Sequence, residues 1–252
     1  FMEKVMNCLN SQQIADYGAR GHLTVEDIFS ETQMDEAITD AETWAAEEIG
    51  KLNAADRAWY VEPEISDRAI LRKLDNPVCL RPVFRALAGE KGLLSLVEQI
   101  IGPGPKVFFS QIFFKAPNGG GPKPAHQDNF YFGPNDNESM VTAWVALDDA
   151  DESNGCLFFG EGTNNDNIIP HIALEGEPFN LLIPNDVATQ YKMTPAPVRR
   201  GGVSFHHGNT LHQSSTNRSD RWRRACAMHY GNRETQLVNS ALTYDMDAVV
   251  LF

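Results

Sequence analysis

Residues 106–115 read KVFFSQIFFK, and at this stretch the period of the chain changes. It is the first of five short segments that are apolar, aromatic or β-branched. The others are MVTAWVALDD (140–149), GCLFFG (155–160), GGVSF (201–205) and RRACAMHYG (223–231), and Gly, Pro, Asn and Asp clusters separate them. Segments of this kind read as strands. Several in succession after a helical N-terminal part predict a mainly β fold with flanking helices, a β-sandwich or jelly roll.

Upstream, the spacing predicts helices. Ser30, Glu31, Thr32 and Gln33 have the form of a capping box, and the Ala- and Glu-rich run from Glu31 to Leu52 follows it as one helix. A second helical zone runs from Arg81 to Ile101, with Val83, Phe84, Leu87, Leu93, Leu94, Val97 and Ile100 at helical spacing. IGPGPK (101–106) ends it, because two prolines and two glycines do not continue a helix. The segment from Glu161 to Arg200 has weak periodicity and many Asn and Pro residues, as expected of a long loop or lid. The expected organisation is a single domain over 1–252, with mostly helical support in 1–105, a jelly-roll core in 106–235 and a lid in 161–200.

The chain of 252 residues carries a net charge of -13. Binding to phosphate backbones rests on lysine and arginine, so nucleic acid and anionic membrane are not expected partners. Four scattered cysteines, Cys8, Cys79, Cys156 and Cys226, form no C-x-x-C pair, which argues for reduced thiols and a cytoplasmic location. No apolar run has the length of a membrane span.

Candidate chemistry begins with PAHQDNFYF (124–132). Residues two apart on an extended strand point the same way, so His126 and Asp128 can converge on one ion. A further imidazole from a distant strand completes two histidines and a carboxylate, the facial set of non-haem iron(II) sites, which leaves coordination positions open. An H-x-D pair alone is weak evidence. His212, in LHQSSTN (211–217), is the candidate third ligand and His207 competes with it. If the open positions take 2-oxoglutarate through its keto acid end, the far carboxylate needs a cation, and the planar fork of Arg223 suits it. Ser214 or Thr142 is a candidate hydroxyl beside that arginine. Thr142 and Trp144 share a strand face and form a candidate cavity wall.

HQD (126–128), Trp144, NGCLFF (154–159) and HHGNTLHQSSTNRSDRWRRA (206–225), in that order and spacing, resemble the phytanoyl-CoA dioxygenase family of iron(II)- and 2-oxoglutarate-dependent oxygenases. The likeness runs from about Asp67 to Tyr230, and YGARGHLTVEDIFS (17–30) has that family's opening pattern. It implies a double-stranded β-helix, a cupin-like jelly roll, with His126, Asp128 and His212 as ligands of Fe(II). It further implies Arg223, assisted by Ser214, on the distal carboxylate of 2-oxoglutarate, with Trp144 and Gln111 lining the same cosubstrate. Lys73 is preferred to Arg72 as a basic contributor. The implied activity is hydroxylation of a small-molecule or acyl substrate using O2. The presence of Asp128 argues against halogenation, since related halogenases replace that carboxylate. One departure is Gly160-Glu161-Gly162-Thr163-Asn164, where many relatives read Pro-Gly-Ser-His.

Other side chains have plainer expected roles. His206 is expected to face away from the site, His229 to be structural and His171 to be exposed. His207 fits either a place facing the substrate or that of a satisfied buried histidine. Lys115 and Lys123 flank a glycine-rich loop that lacks the G-K-S/T needed for phosphate. Two other classes would leave part of this pattern unused. A metal hydrolase or isomerase would not need Arg223 with Ser214, and a carbohydrate-binding sandwich would not need the metal set.

Overall fold

The computed structural model describes residues 8–62, 70–174 and 177–252. Asp67, where the family resemblance starts, lies outside the described residues. In chain order the N-terminal part contains α1 (Ser11–Arg20), β1 (His22–Val25), α2 (Glu31–Ile49), α3 (Ala54–Tyr60), β2 (Lys73–Asp75), α4 (Pro77–Leu80), α5 (Pro82–Ala88) and α6 (Lys91–Ile101). There follow β3 (Lys106–Lys115), β4 (Lys123–His126), α7 (Asp128–Phe132), β5 (Met140–Ala146), β6 (Leu157–Gly160), β7 (Ile172–Leu174) and β8 (Glu177–Leu182). The chain closes with α8 (Asn185–Ala188), β9 (Met193–Ala196), β10 (Val203–His207), β11 (His212–Ser214), β12 (Arg223–Gly231) and β13 (Val250–Leu251).

The strands form a seven-stranded sheet in the order β1-β10-β5-β12-β3-β13, with β2 also on β3, and a four-stranded sheet in the order β4-β11-β6-β9. All pairings between these strands are antiparallel. Side-chain alternation sorts the large sheet into two faces. On β5, Val141, Ala143 and Val145 join the core formed with Phe84, Leu93 and Val97 of the helices. Trp144 and Ala146 point the other way, to a second core with Leu157 and Phe159 of the small sheet. Every residue of β5 is buried, as expected of a strand covered on both faces. The result is mainly β, two facing sheets with helices packed on the outside of the larger.

The helix starts follow the sequence rules. Ser30 accepts from the Gln33 amide and the Gln33 side chain accepts from the Ser30 amide, a capping box that opens α2. The helix ends at Ile49, short of the expected Leu52. The zone 81–101 is two helices rather than one, divided at Gly89 and Glu90. The buried set of α6 is Leu93, Leu96, Val97 and Ile101, whereas Leu94 and Ile100 are half-buried.

Two regions hold elements that the spacing did not show. The N-terminal part, expected to be mostly helical support, also contributes strands: β1 forms the edge of the large sheet against β10, and β2 lies beside β3. The segment 161–200, expected as a long loop or lid, contains regular structure. It holds the β7–β8 hairpin, the short helix α8, and β9, which is a strand of the small sheet paired with β6. Thr194 and Pro195 face Phe159 and Phe158 in that pairing, and backbone hydrogen bonds of this ladder need no hydrophobic period to form. Among the described residues no helix is long and apolar enough to cross a membrane.

Candidate metal and cosubstrate site

A cavity of about 710 Å³ opens between the two sheets, and both contribute to its wall. At one end His126 closes β4 and His212 opens β11, and their Cα atoms are register partners on adjacent strands of the small sheet. The two histidines are thus neighbours within one sheet, rather than reaching across from facing sheets. Asp128 is not on a strand: it is the first residue of α7, and the extended backbone of Gln127 (φ -126°, ψ 130°) carries it back toward His126. The turn is secured by the buried Gln127 side chain, which donates to Asn209 O at 2.6 Å and accepts from Ile169 N at 2.7 Å. Gly208 permits this approach, since a Cβ there would stand 2.0 Å from Asn129 Oδ1.

The three side chains are buried and offer one ligand atom each within 4.8 Å of one another. His126 Nδ1 is 2.8 Å from Pro124 O and His212 Nδ1 is 2.9 Å from Thr210 O. A carbonyl accepts only, so both rings carry their proton on Nδ1 and turn the Nε2 lone pair inward. Those two Nε2 atoms lie 3.8 and 3.7 Å from Asp128 Oδ1. Burial, above all, lowers the proton affinity of both rings. Burial alone would raise Asp128, but His212, His229 and the bond from His206 outweigh it and hold the carboxyl well below its ordinary range. Two neutral imidazoles and one carboxylate, each with an outer partner, make a donor set suited to a divalent iron.

At the other end stands Arg223, 2% exposed, with its guanidinium carbon 5.5 Å from the centre of the Trp144 ring. Its Nε and Nη1 have no hydrogen-bond partner among the described residues. Burial pulls its pKa down to about 9. Ser214 is buried on the same wall. A buried guanidinium without an acceptor is the feature that a carboxylate would complete. Gln111 and Lys73 also line the cavity, and both meet Asp75: Gln111 Nε2 donates to it at 2.7 Å and Lys73 Nζ is 3.5 Å away. Arg72 lies 3.4 Å from Glu62.

Several expectations change. The Thr142 hydroxyl, a candidate partner of the guanidinium, donates instead to Asp128 Oδ2 at 2.5 Å and is 2.8 Å from His229 Nδ1. His206 does not face away, for its Nε2 is 3.2 Å from Asp128 Oδ2 and its ring packs on His212 at 4.4 Å. His229 lines the cavity rather than being a plain structural residue. His171 is half-buried, stacked on Phe130 at 4.0 Å, and accepts the Gln127 amide at 2.9 Å. His207 is buried, with Nδ1 accepting from Asn209 N, while its Nε2 lies 3.2 Å from Glu138 without a hydrogen bond among the described residues.

Sequence reasoning also missed Lys115 as a cavity residue. It is 5% exposed, register partner to Arg223, donates to Ser215 O, and burial with Arg223 pushes its pKa down to about 6. The available signal was the period of two along β3, which puts Phe109, Gln111, Phe113 and Lys115 on one face.

The phytanoyl-CoA dioxygenase (PhyH) family model matches residues 17–225. A phytanoyl-CoA dioxygenase domain-containing protein 1 from Danio rerio is 30% identical over 179 residues, covering 69% of this chain and 60% of the relative. The Mus musculus protein of the same name is 31% identical, with 52% of it covered, so this chain spans between half and two thirds of those proteins. A probable alpha-ketoglutarate-dependent hypophosphite dioxygenase from Stutzerimonas stutzeri is 24% identical, covering 92% of this chain and 87% of that one. Among solved structures, the carbocyclase SnoK from nogalamycin biosynthesis superposes with a TM-score of 0.71 at 21% identity, over 96% of both chains. EctD from S. alaskensis, solved with 2-oxoglutarate and 5-hydroxyectoine, gives 0.72 at 18% identity, over 95% of this chain and 82% of that one. Likeness at these identities establishes a shared fold.

Proposed function

The chain belongs to the phytanoyl-CoA dioxygenase family, and on that premise we propose that it is a non-haem Fe(II)- and 2-oxoglutarate-dependent dioxygenase. Its double-stranded β-helix, supported by the N-terminal helices, would hydroxylate a small-molecule or acyl substrate with release of succinate and CO2. One observation carries the reading: His126 and His212 are locked by backbone carbonyls with Nε2 facing Asp128 Oδ1, in the same cavity as a buried arginine that lacks an acceptor.

His126, Asp128 and His212 would hold the iron. When bound, it supplies the redox chemistry that couples decarboxylation of the cosubstrate to hydroxylation of the substrate. Arg223 receives the distal carboxylate of 2-oxoglutarate, with Ser214 as a further donor. Trp144 supports the guanidinium from its ring face, which restricts where the fork can turn. Gln111 and Lys73 line the cavity through contacts with Asp75 and serve as orienting groups. Burial of the three ligands and of Arg223 excludes water, so each charge-assisted contact acts in a medium of low dielectric. Tyr131, Phe132, Phe109 and Tyr244 form an aromatic wall near His126 and His229. A cavity of about 710 Å³ walled in this way suits an organic substrate alongside the cosubstrate.

The test is to supply Fe(II), 2-oxoglutarate and O2 and to measure succinate. Iron-dependent succinate formation that zinc does not support is the expected result. Hydrolysis of ester or phosphate substrates with zinc, indifferent to Arg223, would instead favour a metal hydrolase.

A further inference from the structure

Asp128 is held from one side only. Its Oδ2 accepts the Thr142 hydroxyl at 2.5 Å and lies 3.2 Å from His206 Nε2 and 3.5 Å from His229 Nδ1. Among the described residues its Oδ1 faces the His126 and His212 ring nitrogens, 3.8 and 3.7 Å away. The three groups on Oδ2 come from three adjacent strands of the large sheet. The register makes them converge, because Thr142 is the Cα partner of both His206 and His229.

His206 is the member that packing does not explain. It is 1% exposed, and its ring lies 4.4 Å from His212 and 5.3 Å from Phe159. A phenyl ring would make the same contacts. The imidazole leaves Nδ1 buried without a partner among the described residues, which costs stability. What histidine adds is the Nε2–H directed at Asp128.

We propose that His206 is a positioning residue which, with the Thr142–His229 pair, clamps one oxygen of Asp128 so that the carboxylate offers a single oxygen to the metal. Carboxylates bind metal ions through one oxygen or both. A carboxylate turned to offer both would compete for a coordination position that the keto acid end of 2-oxoglutarate requires. The clamp therefore protects cosubstrate binding rather than metal affinity. This inference rests on the iron and 2-oxoglutarate reading above.

The experiment uses Mn(II), which accepts the same oxygen and imidazole donors without turnover. Titration calorimetry reads first the Mn(II) affinity of the metal-free protein, then the 2-oxoglutarate affinity of the Mn(II)-loaded protein. His206→Phe keeps the ring and removes the donor. It should leave Mn(II) affinity within about threefold of wild type, or tighter, while weakening 2-oxoglutarate by about tenfold or more, the scale on which outer-shell partners act. His206→Gln, which returns an N–H, should recover most of that loss. Thr142→Val, a smaller change, should show the same split if His206→Phe folds poorly. A purely structural role would lower the melting temperature of the metal-free variants and leave 2-oxoglutarate binding to the loaded protein unchanged. That result, or a parallel fall of both affinities, overturns the proposal. If wild-type protein binds Mn(II) but no 2-oxoglutarate, the functional reading itself fails and this inference falls with it. If wild type binds both and the variants match it, only this inference falls.

Discussion

The two ends of the cavity are opposites in how their charges are satisfied. At the metal end a buried carboxylate has more donors than it needs, since Thr142, His206 and His229 surround Oδ2 while Oδ1 stays open toward two ring nitrogens. At the anchor end two buried basic side chains stand opposite each other on β3 and β12. Lys115 donates to a carbonyl, and two guanidinium nitrogens of Arg223 have no hydrogen-bond partner among the described residues. Like charges directly opposite on neighbouring strands are unfavourable, and burial together with Arg223 pushes the Lys115 amine toward its neutral form. On the proposed reading, one end would receive a cation and the other an anion, and a divalent metal with a diacid cosubstrate would satisfy both.

The strongest way to break this contrast is at the metal end. Asp128→Ala deletes a ligand and leaves three donors without an acceptor. It should weaken Fe(II) binding by roughly 100-fold or more, since one of three proposed protein ligands is lost, and abolish succinate formation. Calorimetry and a succinate assay check both, and near-normal iron binding would remove Asp128 from the ligand set. His212→Ala should behave alike, and His207→Ala should not.

Next comes the anchor. Arg223→Leu should weaken 2-oxoglutarate by an amount on the order of 2 to 5 kcal/mol, because the carboxylate would be left buried and unpaired, and should leave Fe(II) affinity nearly unchanged. Equal losses of metal and cosubstrate would erase the division into two ends.

Lys115 gives a smaller effect with a pH signature. Burial, with Arg223, pushes its amine down to about 6, whereas the unfolded chain keeps the proton to about 10.4. Between these values the unfolded chain binds more protons, so the Lys115 contribution to stability rises with pH across that window. Lys115→Met should therefore raise the melting temperature most near pH 6, and the advantage should shrink toward pH 10. A pH-independent difference would mean that the amine keeps its charge when folded.

The smallest effect serves as a control outside the cavity. Ser30→Ala removes the cap of α2 and should cost about 1 kcal/mol in chemical denaturation, with both ligand affinities intact.

Much of this was legible in the chain itself. The period of two in KVFFSQIFFK and MVTAWVALDD marks β3 and β5, the capping box marks the start of α2, and the residue types of His126, Asp128, His212 and Arg223 point to the proposed metal ligands and anchor. These are local signals, written in spacing and composition. Tertiary structure decided which side chains meet. β9 hides in a segment without hydrophobic alternation, because its place depends on hydrogen bonds to β6. Asp128 lies on a helix start and not on a strand, because Gln127 is tied to Asn209 and Ile169 from remote parts of the chain. His206 and His207 are adjacent in HHGN, yet only one of them reaches the carboxylate. Register with β5 made the choice: His206 pairs with Thr142 and turns inward, His207 pairs with Val141 and turns away, and a slip of one residue would exchange them. Sequence supplies the alternation along a strand, while the pairing with a partner distant in the chain decides which phase faces the site.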